Sequence, residues 1–223
     1  MDGIIDLLTN NNILLFIVYF ILLLIVILII YKIKKKYYAN FGEAIVFRKL
    51  KQLYNKNDYP YIKNIILPIN DEAYAYYDAI VFGNKYFYII EIKNHKGYLK
   101  IDEVDDWVYS DNSEQHSFIN PFYELEVKKH ILNRYIEIDK ARIIEITVYN
   151  KQTKPVGKKG HNHLINVSQL KSLINHYEKN PDISTIPPKV VEEKGNYLLD
   201  IDVKKRNIRK KVISDLKNQR VKR

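Results

Sequence analysis

The 223-residue chain contains no cysteine, and this absence limits the chemistry that it can perform. Without cysteine there is no disulfide framework, no thiolate nucleophile and no zinc site built on thiolates. A chain that uses no disulfide also suits a reducing compartment. The function must therefore be sought in the other polar and aromatic residues.

The centre of the chain lacks net positive charge, although the chain as a whole is basic. The formal net charge is +10, but residues 37–203 hold 22 basic and 23 acidic side chains. The positive charge is concentrated in four lysines at 32–36 and in the C-terminal segment 204–223, which has ten basic residues and one acidic residue. The basicity of the chain therefore belongs to these two segments, and the centre of the chain is close to neutral.

Residues 13–31 (ILLFIVYFILLLIVILIIY) lack glycine, proline and charge over 19 consecutive positions. As a helix this run is about 28 Å long, close to the hydrocarbon thickness of a bilayer, about 30 Å. Acidic residues precede it and lysines follow it, which is the reverse of a secretory signal peptide. The positive-inside bias predicts a single-pass anchor in the cell membrane with the soluble domain in the cytoplasm. The inverted topology, with the domain outside the cell, is the alternative.

Beyond the apolar run, the periodicity of apolar residues predicts one α/β domain. Helices are expected over about 41–54, 120–137 and 168–177, and strands over about 62–68, 74–82, 86–93, 141–149 and 164–167, with a hairpin at 98–110. A loop is expected at 150–163, and the prolines at 181, 187 and 188 are expected to precede a final strand. The predicted fold is a mixed central sheet flanked by helices, with the core order α-β-β-β-α-β and one N-terminal transmembrane helix.

The same patterns divide the chain into six segments. They are a short N-terminal segment (1–12), the transmembrane helix (13–31), a basic juxtamembrane linker (32–40), the α/β domain (41–178), a C-terminal extension (179–203) and a basic tail (204–223). At this length the chain has room for one ordinary domain plus these additions.

The predicted hairpin 74–93 carries acidic residues on both of its strands. A two-residue turn at Gly83-Asn84 predicts that Asp78 pairs with Ile89. Because side chains alternate between the two faces of a strand, Asp78, Glu91 and Lys93 then share one face. Asp78 and Glu91 become diagonal neighbours about 7–8 Å apart, and two carboxylates at that spacing can reach one ion.

A carboxylate from the first helix of the domain is expected to join them. Glu43 precedes the apolar stripe of this helix and is predicted to project towards the sheet, where an unpaired charge is costly. Together with Asp78 and Glu91 it would form a hard-oxygen site suited to Mg²⁺, and Lys93 could orient or deprotonate an attacking water. Such residues on one strand face are commonly a solvated face, but the apolar neighbours of Glu91 indicate burial.

Several motifs of the domain follow one another in the order typical of a known family. They are Gly42-Glu43, Tyr77-Asp78-Ala79-Ile80-Val81, Ile89-Ile90-Glu91-Ile92-Lys93-Asn94 with Gly97, Trp107 and Asn120-Pro121. This series, which covers about 41–178, resembles the nuclease-related domain (NERD) family, a member of the PD-(D/E)XK nuclease superfamily. The α-β-β-β-α-β order is also the core of that superfamily, so the resemblance implies a restriction-endonuclease-like fold.

The resemblance implies roles for the residues that match the motifs of the family. Asp78 and Glu91 would bind a metal ion, with the backbone carbonyl of Ile92 as a further ligand. Lys93 would be the catalytic lysine, and Glu43 would be the helix carboxylate that completes the site. The implied cofactor is Mg²⁺, for which Mn²⁺ can substitute.

One position departs from the pattern of the family. Three residues after Pro121 the family often has glutamine, and this chain has Glu124. If its side chain faces the cleft, the additional negative charge would weaken the approach of a phosphate.

The basic tail is predicted to be a short amphipathic helix or a segment that folds on contact. Ile208, Val212 and Leu216 recur at helical spacing among basic residues. The candidate nucleic-acid contacts are Lys204, Lys205, Arg206, Arg209, Lys210 and Lys211. The anionic inner leaflet of the membrane competes with DNA or RNA as the partner, and a tail with no specific partner is the third alternative.

Two functions follow from the sequence. The first is a membrane-anchored, Mg²⁺-dependent nuclease that hydrolyses phosphodiester bonds in nucleic acid, with DNA as the expected substrate. The alternative is a non-catalytic, membrane-tethered module that binds nucleic acid or acts as a scaffold while keeping the nuclease fold.

Overall fold

The computed structural model of the protein describes residues 2–95, 97–111, 114–150, 152–157 and 163–219. Within these residues it describes the side chains at 18–30, 42–95, 97–110, 115–150, 152–157 and 163–215. The chain divides into two compact units, Met1–Phe41 and Gly42–Arg223.

The first helix, α1, is Asp2–Asn57, so the predicted helix at 41–54 is the C-terminal part of a longer one. At 18–30 every side chain is apolar and exposed to at least 44%. Among the residues that the structure describes, no helix is long and apolar enough to cross a membrane. The transmembrane helix expected at 13–31 is therefore not found, and side chains are described for 18–30 of that span.

A five-stranded mixed sheet forms the centre of the second unit. Its strands are β1 (Tyr61–Pro68), β2 (Tyr74–Phe82), β3 (Phe87–Lys93), β7 (Ile143–Tyr149) and β9 (His163–Asn166), in the order β1-β2-β3-β7-β9. The β1-β2 and β2-β3 pairs are antiparallel, whereas β3-β7 and β7-β9 are parallel. Every residue of the middle strand β3 is buried, as expected of a continuous apolar run.

Helices cover both faces of this sheet, which confirms the predicted mixed α/β fold. On one face Val46 and Leu50 of α1 pack with Ile174 of α3 (Leu170–Glu178). On the other face α2 (Pro121–Ile136) and α4 (Pro188–Ile201) pack through Leu132 and Leu198. The side chains of β3 therefore point alternately to α1 and α3 or to α2 and α4.

A second, four-stranded sheet was not expected. It consists of β4 (Gly97–Ile101), β5 (Trp107–Asp111), β6 (Glu114–Phe118) and β8 (Thr153–Gly157), in the order β6-β5-β4-β8. The predicted hairpin at 98–110 is present as β4 and β5. A loop was predicted at 150–163, but part of this segment is β8, which pairs in parallel with β4, so the prediction is wrong there. Residues 151 and 158–162 lie outside the described residues.

The C-terminal extension also differs from its prediction. The final strand expected after the prolines is the helix α4, with Pro188 in its first turn, where proline is well tolerated. Its apolar residues include Val190, Val191 and Leu198, which pack on the core beneath the central sheet. The tail forms the helix α5 (Arg206–Gln219), which agrees with the first of the two predicted alternatives, a short amphipathic helix.

The register of the β2-β3 hairpin differs by two residues from the prediction. The predicted pairing of Asp78 with Ile89 is wrong, because Ile80 pairs with Ile89 and Phe82 with Phe87. The connection is a four-residue loop in which the Gly83 amide donates to the Tyr86 carbonyl at 2.9 Å. A shift of two residues keeps Ile80, Phe82, Phe87 and Ile89 together on one face, as predicted.

The carboxylate of Glu178, at the end of α3, holds this loop in place. It accepts hydrogen bonds from the backbone amides of Asn84 at 2.8 Å, Lys85 at 3.0 Å and Tyr86 at 3.3 Å. A Cβ atom at Gly83 would lie 2.1 Å from the Glu178 carboxylate, so this close approach requires glycine. The longer loop is thus stabilised by a partner 92–94 residues away in the sequence, which local turn rules do not include.

Candidate active site

The acidic residues of the hairpin meet at one end of the central sheet. Extending the observed register from Ala79 opposite Ile90 sets Asp78 directly opposite Glu91. The carboxylate of Asp78 accepts a hydrogen bond from the Ile92 amide at 2.6 Å. Because Asp78 and Glu91 are 7% and 3% exposed, both carboxylates lie almost out of contact with water.

Two carboxylates and two ammonium groups form a closed ring, which we call the charged ring: Glu91, Lys93, Glu124 and Lys128. Lys93 Nζ is 2.7 Å from Glu91 Oε1 and 3.2 Å from Glu124 Oε2. Lys128 Nζ is 2.6 Å from Glu91 Oε2 and 2.6 Å from Glu124 Oε1. Each charge thus has two neighbours of the opposite sign, which offsets the large cost of burial.

The start of α2 determines how this helix presents its half of the charged ring. The Asn120 side chain accepts from the Phe122 amide at 3.0 Å, and its own amide donates to the carbonyls of Asp102 and Glu103, both at 3.1 Å. Pro121 then begins the helix, as the sequence predicts. This cap anchors α2 to the connection between β4 and β5 and directs its buried face onto β3.

Lys128 is a member of the site that the sequence analysis missed. It lies on the buried stripe of α2 with Leu125, Ile131 and Leu132, at helical spacing. A lysine within an apolar stripe is rarely buried without a partner, so this position carried a detectable signal. Glu124, four residues earlier, is paired with both lysines, and its negative charge is therefore compensated rather than free to repel a phosphate.

The electrostatics of the charged ring favour its ionised form. Burial opposes ionisation of Glu124, but the ammonium groups of Lys93 and Lys128 outweigh burial and lower the pKa of this carboxyl. For both lysines, burial acts to lower the pKa, and the carboxylates of Glu91 and Glu124 outweigh it and raise the pKa. Lys93, Lys128 and Glu124 are therefore charged at neutral pH.

Asp78 stands outside the charged ring and is less well compensated. Burial, followed by the negative charge of Glu91, raises the pKa of Asp78 to about 7. The charge of Lys128 and the hydrogen bond from Ile92 act in the opposite direction without cancelling this effect. Additional positive charge near Asp78 would thus be favourable.

Glu43 does not point into the sheet, and that part of the prediction is wrong. The buried stripe of α1 runs through Gly42, Val46 and Leu50, so Glu43 lies about 100° away from it and is exposed. Its charge still reaches Tyr76, because burial and then the charges of Asp78, Glu43 and Glu91 raise the pKa of that tyrosine. Over the described part of the chain, no three His, Cys, Asp or Glu side chains lie close enough together to hold a metal.

A cleft of about 390 Å³ opens beside the charged ring. Lys93, Glu124 and Lys128 contribute to its wall, and the remaining lining is largely apolar and aromatic, including Tyr74, Tyr76, Phe118 and Tyr123. This volume lies within the range of small-molecule sites. Tyr123 is exposed and the other three rings are half-buried. Aromatic rings beside buried charges provide surfaces on which planar groups such as nucleobases can stack.

Comparison with protein-family models gives one match, to the nuclease-related domain, over residues 39–151. The matched region is half of the chain and includes both β strands of the acidic hairpin and the charged ring. The chain belongs to the nuclease-related domain family. The family resemblance seen in the motifs is therefore confirmed. The searches of curated proteins and of solved structures returned no match.

The oxygen donors of this nuclease-related domain fit a hard divalent cation. Asp78 and Glu91 provide two buried carboxylates from adjacent strands, and the Ile92 carbonyl belongs to the residue that directly follows Glu91. Thr147, which pairs with Glu91 in the β3-β7 register, has a buried hydroxyl without a hydrogen-bond partner among the described residues. The Thr147 hydroxyl is therefore a further oxygen next to Glu91 that could contact a bound cation or its water.

The tail of the nuclease-related domain presents five of the six predicted nucleic-acid contacts to solvent. Exposed side chains are Lys204, Lys205, Arg206, Lys210 and Lys211. Arg209 instead binds within the chain, 2.9 and 3.1 Å from the two carboxylate oxygens of Asp202, and it also donates to the Asn64 carbonyl. Arg209 therefore attaches α5 to the edge strand β1, and its guanidinium is already engaged.

Proposed function

We propose that this nuclease-related domain is a Mg²⁺-dependent nuclease that hydrolyses phosphodiester bonds, with DNA as its substrate. The observation that carries the proposal is the pair Glu91 and Lys93, buried at the end of β3 opposite Asp78 and beside the aromatic cleft. Perturbed, buried ionisable groups beside a cleft are typical of active sites. If Glu91 and Lys93 served only to stabilise the fold, the site would not need Asp78, whose buried negative charge is incompletely compensated.

Asp78, Glu91 and the Ile92 carbonyl are the groups that would hold Mg²⁺. When bound, Mg²⁺ would neutralise charge on the scissile phosphate. Lys93 is protonated, because the carboxylates of Glu91 and Glu124 raise its pKa. This favours an orienting and hydrogen-bond-donating role for Lys93 over deprotonation of the water.

The nucleic-acid partner is supported by two surfaces of different chemistry. The rings of Tyr74, Phe118 and Tyr123 line the cleft beside Lys93 and would accept unstacked bases. The exposed basic residues of α5 would contact phosphates and contribute salt-dependent affinity. Because residues 37–203 carry almost no net charge, these two surfaces would supply most of the attraction for nucleic acid.

A cleavage assay with the full chain tests the proposed activity. Asp78→Ala, Glu91→Gln and Lys93→Met should each reduce Mg²⁺-dependent cleavage of DNA by about 10²–10⁴-fold. Lys129→Met is a matched control, because Lys129 pairs with Glu145 at 3.1 Å and lies outside the charged ring. This variant should cleave DNA as well as the wild type does. Circular dichroism identifies variants that remain folded. Undiminished cleavage by the folded Asp78, Glu91 and Lys93 variants would refute the assignment.

We also propose that the 13–31 segment anchors the domain to the cell membrane, with the domain in the cytoplasm. The apolar length of this run and the lysines that follow it support the proposal. The exposed, uniformly apolar side chains at 18–30 suit a lipid environment better than water.

A non-catalytic binding role is the second candidate, and one observation favours it. Both carboxylate oxygens of Glu91 are already engaged by ammonium groups, at 2.7 and 2.6 Å. A domain that only binds nucleic acid would keep these contacts permanently. Under this alternative, calorimetric titration of the full chain with Mn²⁺ gives no binding heat, and DNA is bound without being cleaved.

A further inference from the structure

Lys128 holds a position that a nuclease site would be expected to leave open. Its ammonium contacts Glu91 Oε2 at 2.6 Å, and the side chain is 7% exposed. The other oxygen of Glu91 is taken by Lys93, two residues further along the same strand. A divalent cation that binds either oxygen of Glu91 would lie close to one of these ammonium groups, and repulsion between the like charges favours displacement of that group.

The geometry indicates which of the two lysines can move. Lys93 extends from the fully buried strand β3, whereas Lys128 extends from α2 and has a second strong partner in Glu124, at 2.6 Å. Glu124 lies four residues before Lys128 on the same helix, so this pair can persist when Lys128 leaves Glu91. The Glu124 side chain is 25% exposed, against 4% for Glu91, and both Glu124 and Lys128 border the cleft. Lys93 borders the same cleft, but its contact with Glu124 is longer, at 3.2 Å, so Glu124 is the stronger alternative partner for Lys128.

We propose that Lys128 is an internal counter-cation, which occupies Glu91 in the metal-free protein and shifts onto Glu124 when a divalent cation binds. The proposal rests on the proposed function in one respect, because it takes Asp78 and Glu91 as the metal ligands. The exchange needs no proton transfer, since Lys128 remains an ammonium and only changes its carboxylate partners. Metal affinity in this chain is then set by competition with its own lysine.

Titration calorimetry of the full chain in mild detergent, with Mn²⁺ as the probe, tests this competition. Lys128→Met keeps the length of the side chain and removes the charge, so Mn²⁺ should bind at least tenfold more tightly than to the wild type. Lys128→Arg keeps the charge and should leave the affinity near the wild-type value. Lys129→Met, which removes a neighbouring ammonium outside the charged ring, should not change the affinity.

A second measurement applies if Lys128→Met does not fold without metal. Removing one partner of a buried ion pair leaves an uncompensated charge, and that can unfold the domain. In that case Mn²⁺ should restore the helical circular dichroism signal of Lys128→Met, because the divalent cation takes the place of the ammonium. A variant that stays unfolded at saturating Mn²⁺ would overturn the proposal.

The outcomes separate this proposal from the proposed function. Equal Mn²⁺ affinity in the wild type and a folded Lys128→Met overturns the counter-cation alone and leaves the metal site standing. Absence of Mn²⁺ binding in both proteins overturns the counter-cation together with the proposed metal site. Tighter binding in Lys128→Met, without a change in Lys129→Met, supports both.

Discussion

At the scale of single residues, the buried carboxyl of Asp78 makes the stability of the fold depend on pH. Its pKa rises from 3.8 to about 7 because of burial and the nearby charge of Glu91. The folded chain therefore keeps this proton to higher pH than the unfolded chain does. Between about pH 4 and pH 7 the unfolded state binds fewer protons, so stability falls as the pH rises, by roughly 4 kcal/mol in total. The cost is absent below the unfolded pKa and complete above pH 7.

Asp78→Asn is expected to stabilise the metal-free protein at high pH. An asparagine oxygen can still accept the Ile92 amide, but it carries no charge to bury. In urea unfolding, the variant should gain about 2–4 kcal/mol over the wild type at pH 8 and much less at pH 5. Asp71→Asn, at an exposed position, serves as the control and should show no such trend. A gain of equal size at both pH values would contradict the account.

Residue types in their sequence context were sufficient to predict part of this site. The apolar neighbours of Glu91 correctly indicated burial, and period-two alternation correctly placed Lys93 on the same face. The partner Lys128 was missed, because it belongs to another element and pairs across 37 positions of sequence. Glu43 was wrongly directed inward, because a 100° step on a helix separates a buried side chain from an exposed one.

At the scale of secondary-structure elements, the acidic hairpin depends on a contact outside itself. Three consecutive loop amides donate to the Glu178 carboxylate at the end of α3, and the Tyr88 hydroxyl donates to it at 2.6 Å. Hydrogen bonds to a charged group are stronger than neutral ones. Glu178 therefore stabilises the register that brings Asp78 opposite Glu91.

Glu178→Gln is expected to lower the free energy of unfolding by about 1–3 kcal/mol, because one acceptor oxygen and the charge are lost. Glu192→Gln, an exposed change on α4, is the matched control and should be nearly neutral. Urea unfolding measures both variants, and hydrogen exchange of the Asn84 and Lys85 amides should be faster in Glu178→Gln alone. Unchanged exchange at these amides would show that the loop is held by other contacts.

The elements that the sequence predicted well are those with a strong local pattern. β2 and β7 are apolar runs, and α2 has a cap and a proline at its start. β8 was missed because its sequence, TKPVG, has no run of apolar residues and because its pairing with β4 is non-local. α4 was mistaken for a strand because nearby prolines suggested a break, although proline also begins helices.

At the scale of the whole molecule, the proposed anchor would determine where the nuclease-related domain acts. It would keep the domain at the inner surface of the membrane, where the domain would meet nucleic acid that enters the cell. The exposed basic residues of α5 could then contact either nucleic acid or anionic lipid, as the sequence alone already allowed.

Replacing both Leu23 and Ile27 with lysine should abolish membrane attachment, because each charge near the centre of a span costs about 2.5–3.5 kcal/mol. The wild type should stay in the membrane pellet after alkaline carbonate extraction, and the double variant should appear in the supernatant. Tyr54→Lys, at another exposed position of α1, should behave as the wild type. A wild-type protein that is extracted like the double variant would refute the anchor.

Anomalous diffraction from crystals of the full chain soaked in Mn²⁺ tests whether Asp78 and Glu91 hold a metal ion. We expect a manganese peak coordinated by the carboxylates of Asp78 and Glu91 and by the Ile92 carbonyl. Lys128 should have moved from Glu91 towards Glu124. A saturating soak without a peak at these residues, and with all four contacts of the charged ring intact, would contradict this expectation.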